Sequence, residues 1–254
     1  MIEHLSLSSI KTYLGCPKLF WFQYVEKVPT LKSPWAVFGT AIHHTVEHFI
    51  WDLSLSGESV PLADRWLAEW ATVKAEEDPV DWSRVNPDSL YYAGLRICTN
   101  AGIVGYISRM RALVTGEDPC IETFFKFDLD GVGVPVLGYV DIVTDDGIPG
   151  DFKTAKRRWT QEQAQRELQP LVYLMGLQAL GLRVPAGRFR HYVIPSDGYA
   201  TLQIIESLHP PERLAQMQGI IRGVWAGIAA EQFHRNPTYR WCGRYCPYVE
   251  ACQP

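Results

Sequence analysis

No apolar run in this sequence approaches the roughly 20 residues that cross a bilayer, so no membrane-spanning helix is expected. The opening MIEHLSLSSIKTYLGC lacks the basic-then-apolar order of a secretory signal, which predicts an intracellular, cytoplasmic protein with no membrane partner. Positive charge is not in excess: 24 lysines and arginines face 28 aspartates and glutamates, a formal net charge of -4. The whole-domain basicity that usually marks a nucleic-acid binder is therefore missing, although a local basic surface is compatible with an acidic total. No helix carries basic residues at groove-reading spacing, which argues against a helix-reading transcription factor. Internal repeats and low-complexity segments are absent too.

What is present suits a folded domain. The 254 residues are 47% hydrophobic, ample for a buried core in one substantial domain or two small ones. Six cysteines would make three disulfides in a secreted protein, yet Cys242, Cys246 and Cys252 crowd into the last thirteen residues. In a reducing compartment such crowding reads as metal ligation.

Periodicity predicts a first helix from Ser6 or Ser8 to about Val25, a second from Thr40 to Asp52, and two more within 61–115, broken near Asp78-Pro79 and Asn86-Pro87. From Cys120 the period changes to two, giving strands in IETFFKFDLD, VPVLGYVDIVT and IPGDFKT separated by Asp-Gly turns, an antiparallel meander. A long helix over 160–180, strands near 188–195 and 199–206, and a helix over 211–233 follow. The order predicts an α/β fold in which a small mixed sheet is flanked by helices.

Residues two apart in a strand share a face, so Asp151 and Lys153 project together, and a hairpin turn brings Asp141 of the preceding strand close. Two carboxylates on one face suit Mg²⁺ or Mn²⁺, and a neighbouring ammonium can orient water or stabilise charge on a phosphate. An Asp-x-Lys alone is more often a pair of surface groups, but here the charges sit among Tyr139, Val140, Ile142, Val143 and Phe152, within strands fit for burial. Upstream, His43 and Glu47 share a helix face, as do His44 and His48; spacing alone does not say which histidine functions.

The order Gly39-x-x-x-His43, Gly138-Tyr139-Val140-Asp141, Asp151-Phe152-Lys153 and Gln169-x-x-x-Tyr173 resembles the RecB-like branch of the PD-(D/E)XK nuclease superfamily, including CRISPR-associated exonucleases with an iron-sulfur cluster and AddB-type nuclease domains. The resemblance runs from Leu5 to Cys252 and leaves 55–118 unmatched. It implies one restriction-endonuclease-like domain over 1–254, with a helical insertion at about 55–118 and a cysteine-ligated staple joining its two ends. It implies that His43, Asp141, Asp151 and the Phe152 carbonyl ligate metal, that Lys153 positions the attacking water, and that Gln169 and Tyr173 lie near the DNA. Pro170 either restarts or bends the helix that carries those two.

The resemblance offers Cys16 as a fourth thiolate beside Cys242, Cys246 and Cys252. Four thiolates suit zinc or a [4Fe-4S] cluster, and one distant ligand with three neighbouring ones is how the similar nucleases arrange a cluster. The first gap holds three residues where that family more often has two. Cys98 and Cys120 read as small buried apolar residues. Lys156, Arg157, Arg158 and Trp159 follow the active strand and suit phosphate contact and base stacking without sequence reading. The implied activity is metal-dependent exonuclease action on DNA ends or single strands in recombination, repair, phage DNA metabolism or CRISPR adaptation. The alternative is a noncatalytic DNA-binding subunit of a larger recombination or CRISPR adaptation complex.

Overall fold

Ser6 starts the chain's first helix with a reciprocal cap: its Oγ accepts the Ser9 N–H at 3.2 Å while the Ser9 Oγ accepts the Ser6 N–H at 2.9 Å. The computed structural model describes residues 2–182, 184–199, 201–243 and 245–252. Helix α1 spans Leu7–Gly15 and stops well short of the expected Val25. Pro17 is the reason, because a residue preceding proline is pushed out of the helical region, and Cys16 is extended at φ -157. The chain restarts as α2, Pro17–Phe20, and runs on into a π turn at Trp21–Val25.

Helix α3, Pro34–Ser56, is longer than the spacing predicted and ends where Gly57 takes a left-handed φ of 78. Three helices follow rather than two: α4 Leu62–Glu76, α5 Pro87–Thr99 and α6 Ala101–Ile107. The additional start comes from Asn100, whose side chain accepts the N–H groups of Gly102 and Ile103 and caps α6.

Two short strands, β1 Val114–Thr115 and β2 Asp118–Pro119, precede the main sheet of β3 Ile121–Phe127, β4 Val136–Val143, β5 Pro149–Ala155, β6 Arg188–Pro195 and β7 Gln203–Leu208. Its order is β3-β4-β5-β6-β7. The first three strands are the expected antiparallel meander; β5 and β6 are parallel, and β7 returns antiparallel. The β5–β6 crossover carries α7, Gln161–Arg166, and α8, Gln169–Ala179, so the predicted 160–180 helix is two. Pro170 sits in the first turn of α8, where its missing N–H costs nothing, and the helix starts afresh there. A last helix, α9, spans Pro211–Ala229. Among the described residues no helix is long and apolar enough to cross a membrane.

Each face of the sheet buries a core. On one, α3 to α6 close over Ile142, Phe152, Tyr192 and Ile194, with the fully buried Phe38 and Trp66 rings in edge contact at 5.9 Å. On the other, α1, α8 and α9 close over Phe125, Val136, Val140 and Phe189. Strand β4 changes the core it serves between Val140 and Ile142, at Asp141. Phe125 is wedged between two glycines: a Cβ at Gly138 would lie 2.4 Å from its ring and one at Gly176 2.3 Å. These missing side chains let α8 lie close on β3 and β4.

Because Phe125 is fully buried and has nowhere to move, Gly176→Ala is expected to cost about 1–3 kcal/mol through overpacking. Denaturant unfolding would read the loss, and a variant as stable as the parent would show that α8 does not depend on this contact.

Candidate active site and metal centre

Strands β4 and β5 share only two register pairs, Ile142 with Gly150 and Val143 with Pro149. The next pair would be Asp141 with Asp151, and there the strands part into a fork. Farther along β4 the vacated side is taken by the N-terminal segment, where Leu5 bridges in parallel to Val136. Parting strands leave a backbone donor without a ladder partner. Here the Phe152 N–H donates to Asp141 Oδ2 at 3.0 Å, so the carboxylate is fixed by the backbone that the fork exposes.

Asp141 is reached from both faces. From α8, the Tyr173 hydroxyl donates to Oδ1 at 3.0 Å; from α3, His43 Nδ1 lies 3.5 Å from Oδ2. The same imidazole nitrogen is 3.7 Å from Glu47 Oε1, one turn along α3. His43, Glu47 and Asp141 each offer a ligand atom within 4.8 Å of the others. Across the fork, Lys153 Nζ lies 2.7 Å from Asp151 Oδ1 and 2.6 Å from Oδ2. The Gln169 amide donates to Asp151 and, at 2.7 Å, to the Tyr173 hydroxyl. The four-residue spacing of Gln169 and Tyr173 on α8 thus serves two carboxylates at once.

These acids are crowded and dry. Glu47, Asp141 and Asp151 are 3%, 5% and 1% exposed. Burial, then the neighbouring carboxylates of Glu122 and Asp141, pushes Glu47 up to about 10. Burial and then Asp141 raise Asp151 to about 6, and burial raises Asp141 as well. Lys153 is raised despite its burial, because Asp151 and Asp141 hold its proton. Burial lowers His43 to about 4 against the pull of Asp151, leaving a neutral imidazole with a lone pair to offer. Glu47 Oε1 is buried without a hydrogen-bond partner among the described residues. Three carboxylates and one imidazole, with an orphaned buried oxygen among them, fit a hard divalent cation.

A cleft of about 580 Å³ opens on this cluster, lined by Glu122, Tyr139, Asp141, Lys153, Trp159, Gln169 and Tyr173 and, from α1 and its cap, by Ser8, Lys11 and Ser6. The other two histidines of the motif face elsewhere: His44 and His48 meet Glu69, at 3.9 and 2.7 Å. The Phe152 backbone hydrogen bonds to His43. Of the basic run, only Trp159 reaches the cleft; Lys156, Arg157 and Arg158 line a separate shallow hollow, and Lys156 lies over the Trp35 ring at 4.6 Å. Trp159 is held by Gln203, which takes its N–H and donates to its carbonyl, both at 2.9 Å. Cys16, Cys242, Cys246 and Cys252 line one pocket beside Leu19, Phe22 and Tyr239, while Cys98 and Cys120 are buried apart from it.

Three residues escaped the sequence reading as site members. Glu47 was visible only as the helix neighbour of His43. Glu122 lies at the start of an apolar strand with φ 46, a left-handed backbone that no pattern announces. His191, the register partner of Asp151 on β6, is fully buried with both ring nitrogens unpartnered among the described residues and is lowered to about 4 by burial.

The sequence matches the family described as the PD-(D/E)XK nuclease superfamily over residues 4–253. The chain belongs to that superfamily. Members are metal-dependent nucleases, and the mixed five-stranded sheet flanked by helices is its restriction-endonuclease-like fold. A solved structure described as "Crystal structure of SSO0001" is similar at 13% identity, covering 96% of this chain and 92% of that one with a TM-score of 0.35. No curated protein matches the chain.

In this PD-(D/E)XK chain the buried Glu47 makes a pH prediction. Its folded value of about 10 lies above its ordinary 4.5, so its contribution is full below 4.5 and is lost as pH rises toward 10. In EDTA, Glu47→Gln should therefore melt above the parent, by a margin that grows with pH; with Mn²⁺ the order should reverse. Thermal melts across pH measure both, and a parent that outlasts the variant in alkaline EDTA would contradict the assignment.

Proposed function

We propose that this chain is a RecB-like, Mg²⁺- or Mn²⁺-dependent deoxyribonuclease acting as an exonuclease on DNA ends or single strands. The observation that carries the reading is the His43–Glu47–Asp141 cluster facing the Asp151–Lys153 pair across the β4–β5 fork. His43, Glu47, Asp141 and Asp151 would hold the cation, with the Phe152 carbonyl beside them. A bound Mg²⁺ or Mn²⁺ supplies positive charge to the phosphate and favours the deprotonated form of an attacking water.

The chain's own groups do the rest. Tyr173 and Gln169 donate to Asp141 and Asp151 and fix both carboxylates before substrate arrives. Lys153, kept cationic by Asp151, orients the water and offsets charge growing on the phosphate. The water oxygen bonds to phosphorus as the bond to the 3'-oxygen breaks, leaving a 3'-hydroxyl and a 5'-phosphate. Trp159 at the cleft rim meets the DNA, and Lys156, Arg157 and Arg158 form a basic surface farther out.

The four thiols fit a [4Fe-4S] cluster as a structural staple. Cys16 is freed from α1 by Pro17, and the segments it joins already touch: the Asn236 amide donates to the Gly15 carbonyl at 2.8 Å and the Tyr248 hydroxyl to the Val28 carbonyl at 3.2 Å. Gly15 leaves room for the Tyr239 ring, which a Cβ would meet at 2.7 Å. When bound, the cluster contributes folding free energy. Such an activity would serve recombination, repair, phage DNA metabolism or CRISPR adaptation, alone or with the proteins of those assemblies.

Asp141→Asn and Lys153→Ala, each folded and with its cysteine site filled, should digest end-labelled DNA about 100-fold more slowly or worse. Parent-rate digestion by either removes the site assignment, and binding without cleavage by the parent would favour the noncatalytic subunit. Anaerobic purification should yield about four irons and four sulfides per chain, and Cys16→Ser should lose both and melt lower. Zinc without iron would overturn the cluster.

A further inference from the structure

The outward side of β3 and β4 carries a row that the catalytic reading leaves unused. Away from the core the exposed residues of β3 are Glu122, Phe124 and Lys126. Phe124 and Lys126 pair in register with Tyr139 and Leu137 of β4. Exposed positions in such a strand are ordinarily polar. Instead Phe124 is 47% and Tyr139 52% exposed, and their rings meet at 5.3 Å with planes tilted by 54°. Among the described residues α3 meets this side of the sheet where Glu47 reaches Glu122, and the aromatic pair beside it stays exposed.

The row is continuous with the active site. Tyr139 lines the same cleft as Asp141 and Lys153. Outward positions recur roughly every 7 Å along an extended strand, so the aromatic pair and Lys126, within the regular part of β3 beyond Glu122, are one step apart, comparable to the reach of one extended nucleotide. An aromatic face takes any base, and an ammonium beyond it takes the next phosphate. In a blunt duplex stacking covers every base face except the outer face of the terminal pair, so successive bases cannot be laid on the aromatic pair without unstacking.

Resting on the nuclease reading above, we propose that Phe124 and Tyr139 form a stacking platform for unpaired nucleotides of the DNA, with Lys126 taking a flanking phosphate. The platform guides a single strand into the β4–β5 fork and makes unpaired DNA the preferred substrate.

The test uses the full-length chain carrying Asp141→Asn to block cleavage, with Mn²⁺ and a fluorescent oligo(dT) of about 12 nucleotides, within the site sizes of single-strand binders. Adding Phe124→Ala and Tyr139→Ala should weaken oligo(dT) binding about tenfold or more and leave binding of a blunt duplex within about twofold. Phe124→Tyr with Tyr139→Trp should retain the affinity, which separates stacking from damage to the sheet. Unchanged oligo(dT) affinity in the alanine pair overturns the platform, as does an equal loss for oligo(dT) and duplex. Failure of the Asp141→Asn chain to bind any DNA, together with no cleavage by the parent, would instead sink the nuclease reading itself.

Discussion

The parting of β4 from β5 after two register pairs is the constraint on which this site depends. Had the ladder continued, Asp141 and Asp151 would face each other as an ordinary antiparallel pair and repel. Because it stops, Asp141 turns into the gap, takes the stranded Phe152 N–H, and becomes reachable from α3 on one face and α8 on the other. One carboxylate thereby joins both layers of helices through the sheet. The cleft exists because the N-terminal segment, not β5, occupies the far side of β4.

Holding this fork open has an energetic cost that the rest of the structure offsets. Buried carboxylates cost several kcal/mol each unless paired or coordinated, and one ammonium, Lys153, stands against four acids. The raised values of Glu47 and Asp151 express that imbalance, and a divalent cation is the natural way to relieve it. Rigidity comes from the cores: Phe125 between Gly138 and Gly176 draws α8 onto the sheet, which sets the Gln169 amide and Tyr173 hydroxyl within reach of the two aspartates. The N-terminal helices and the C-terminal tail close against each other over the four-cysteine pocket.

Much of this was legible in the sequence because it is local. The meander declared itself through alternation and Asp-Gly turns, and the spacing of Gln169 and Tyr173 already placed both on one helix face. What misled was equally physical. Pro17 ended a helix that apolar spacing would have carried to Val25, and Asn100 capped a helix that composition did not separate from its neighbour. Chain adjacency suggested that Lys156, Arg157 and Arg158 stay beside Lys153, but β5 ends at Ala155 and the chain turns toward Gln203. Glu122 was illegible because its place rests on a left-handed φ and on Glu47, 75 residues away in the sequence. Which of three neighbouring histidines turns inward was likewise decided only by the packing of α3 against Phe152.

The central claim is that the fork holds a divalent cation. An anomalous difference map from crystals grown with Mn²⁺ tests it most directly. A peak bounded by His43, Glu47 and Asp141, with Asp151 beside it, is the predicted result; manganese bound only at exposed surface acids, with no density in the fork, would contradict it.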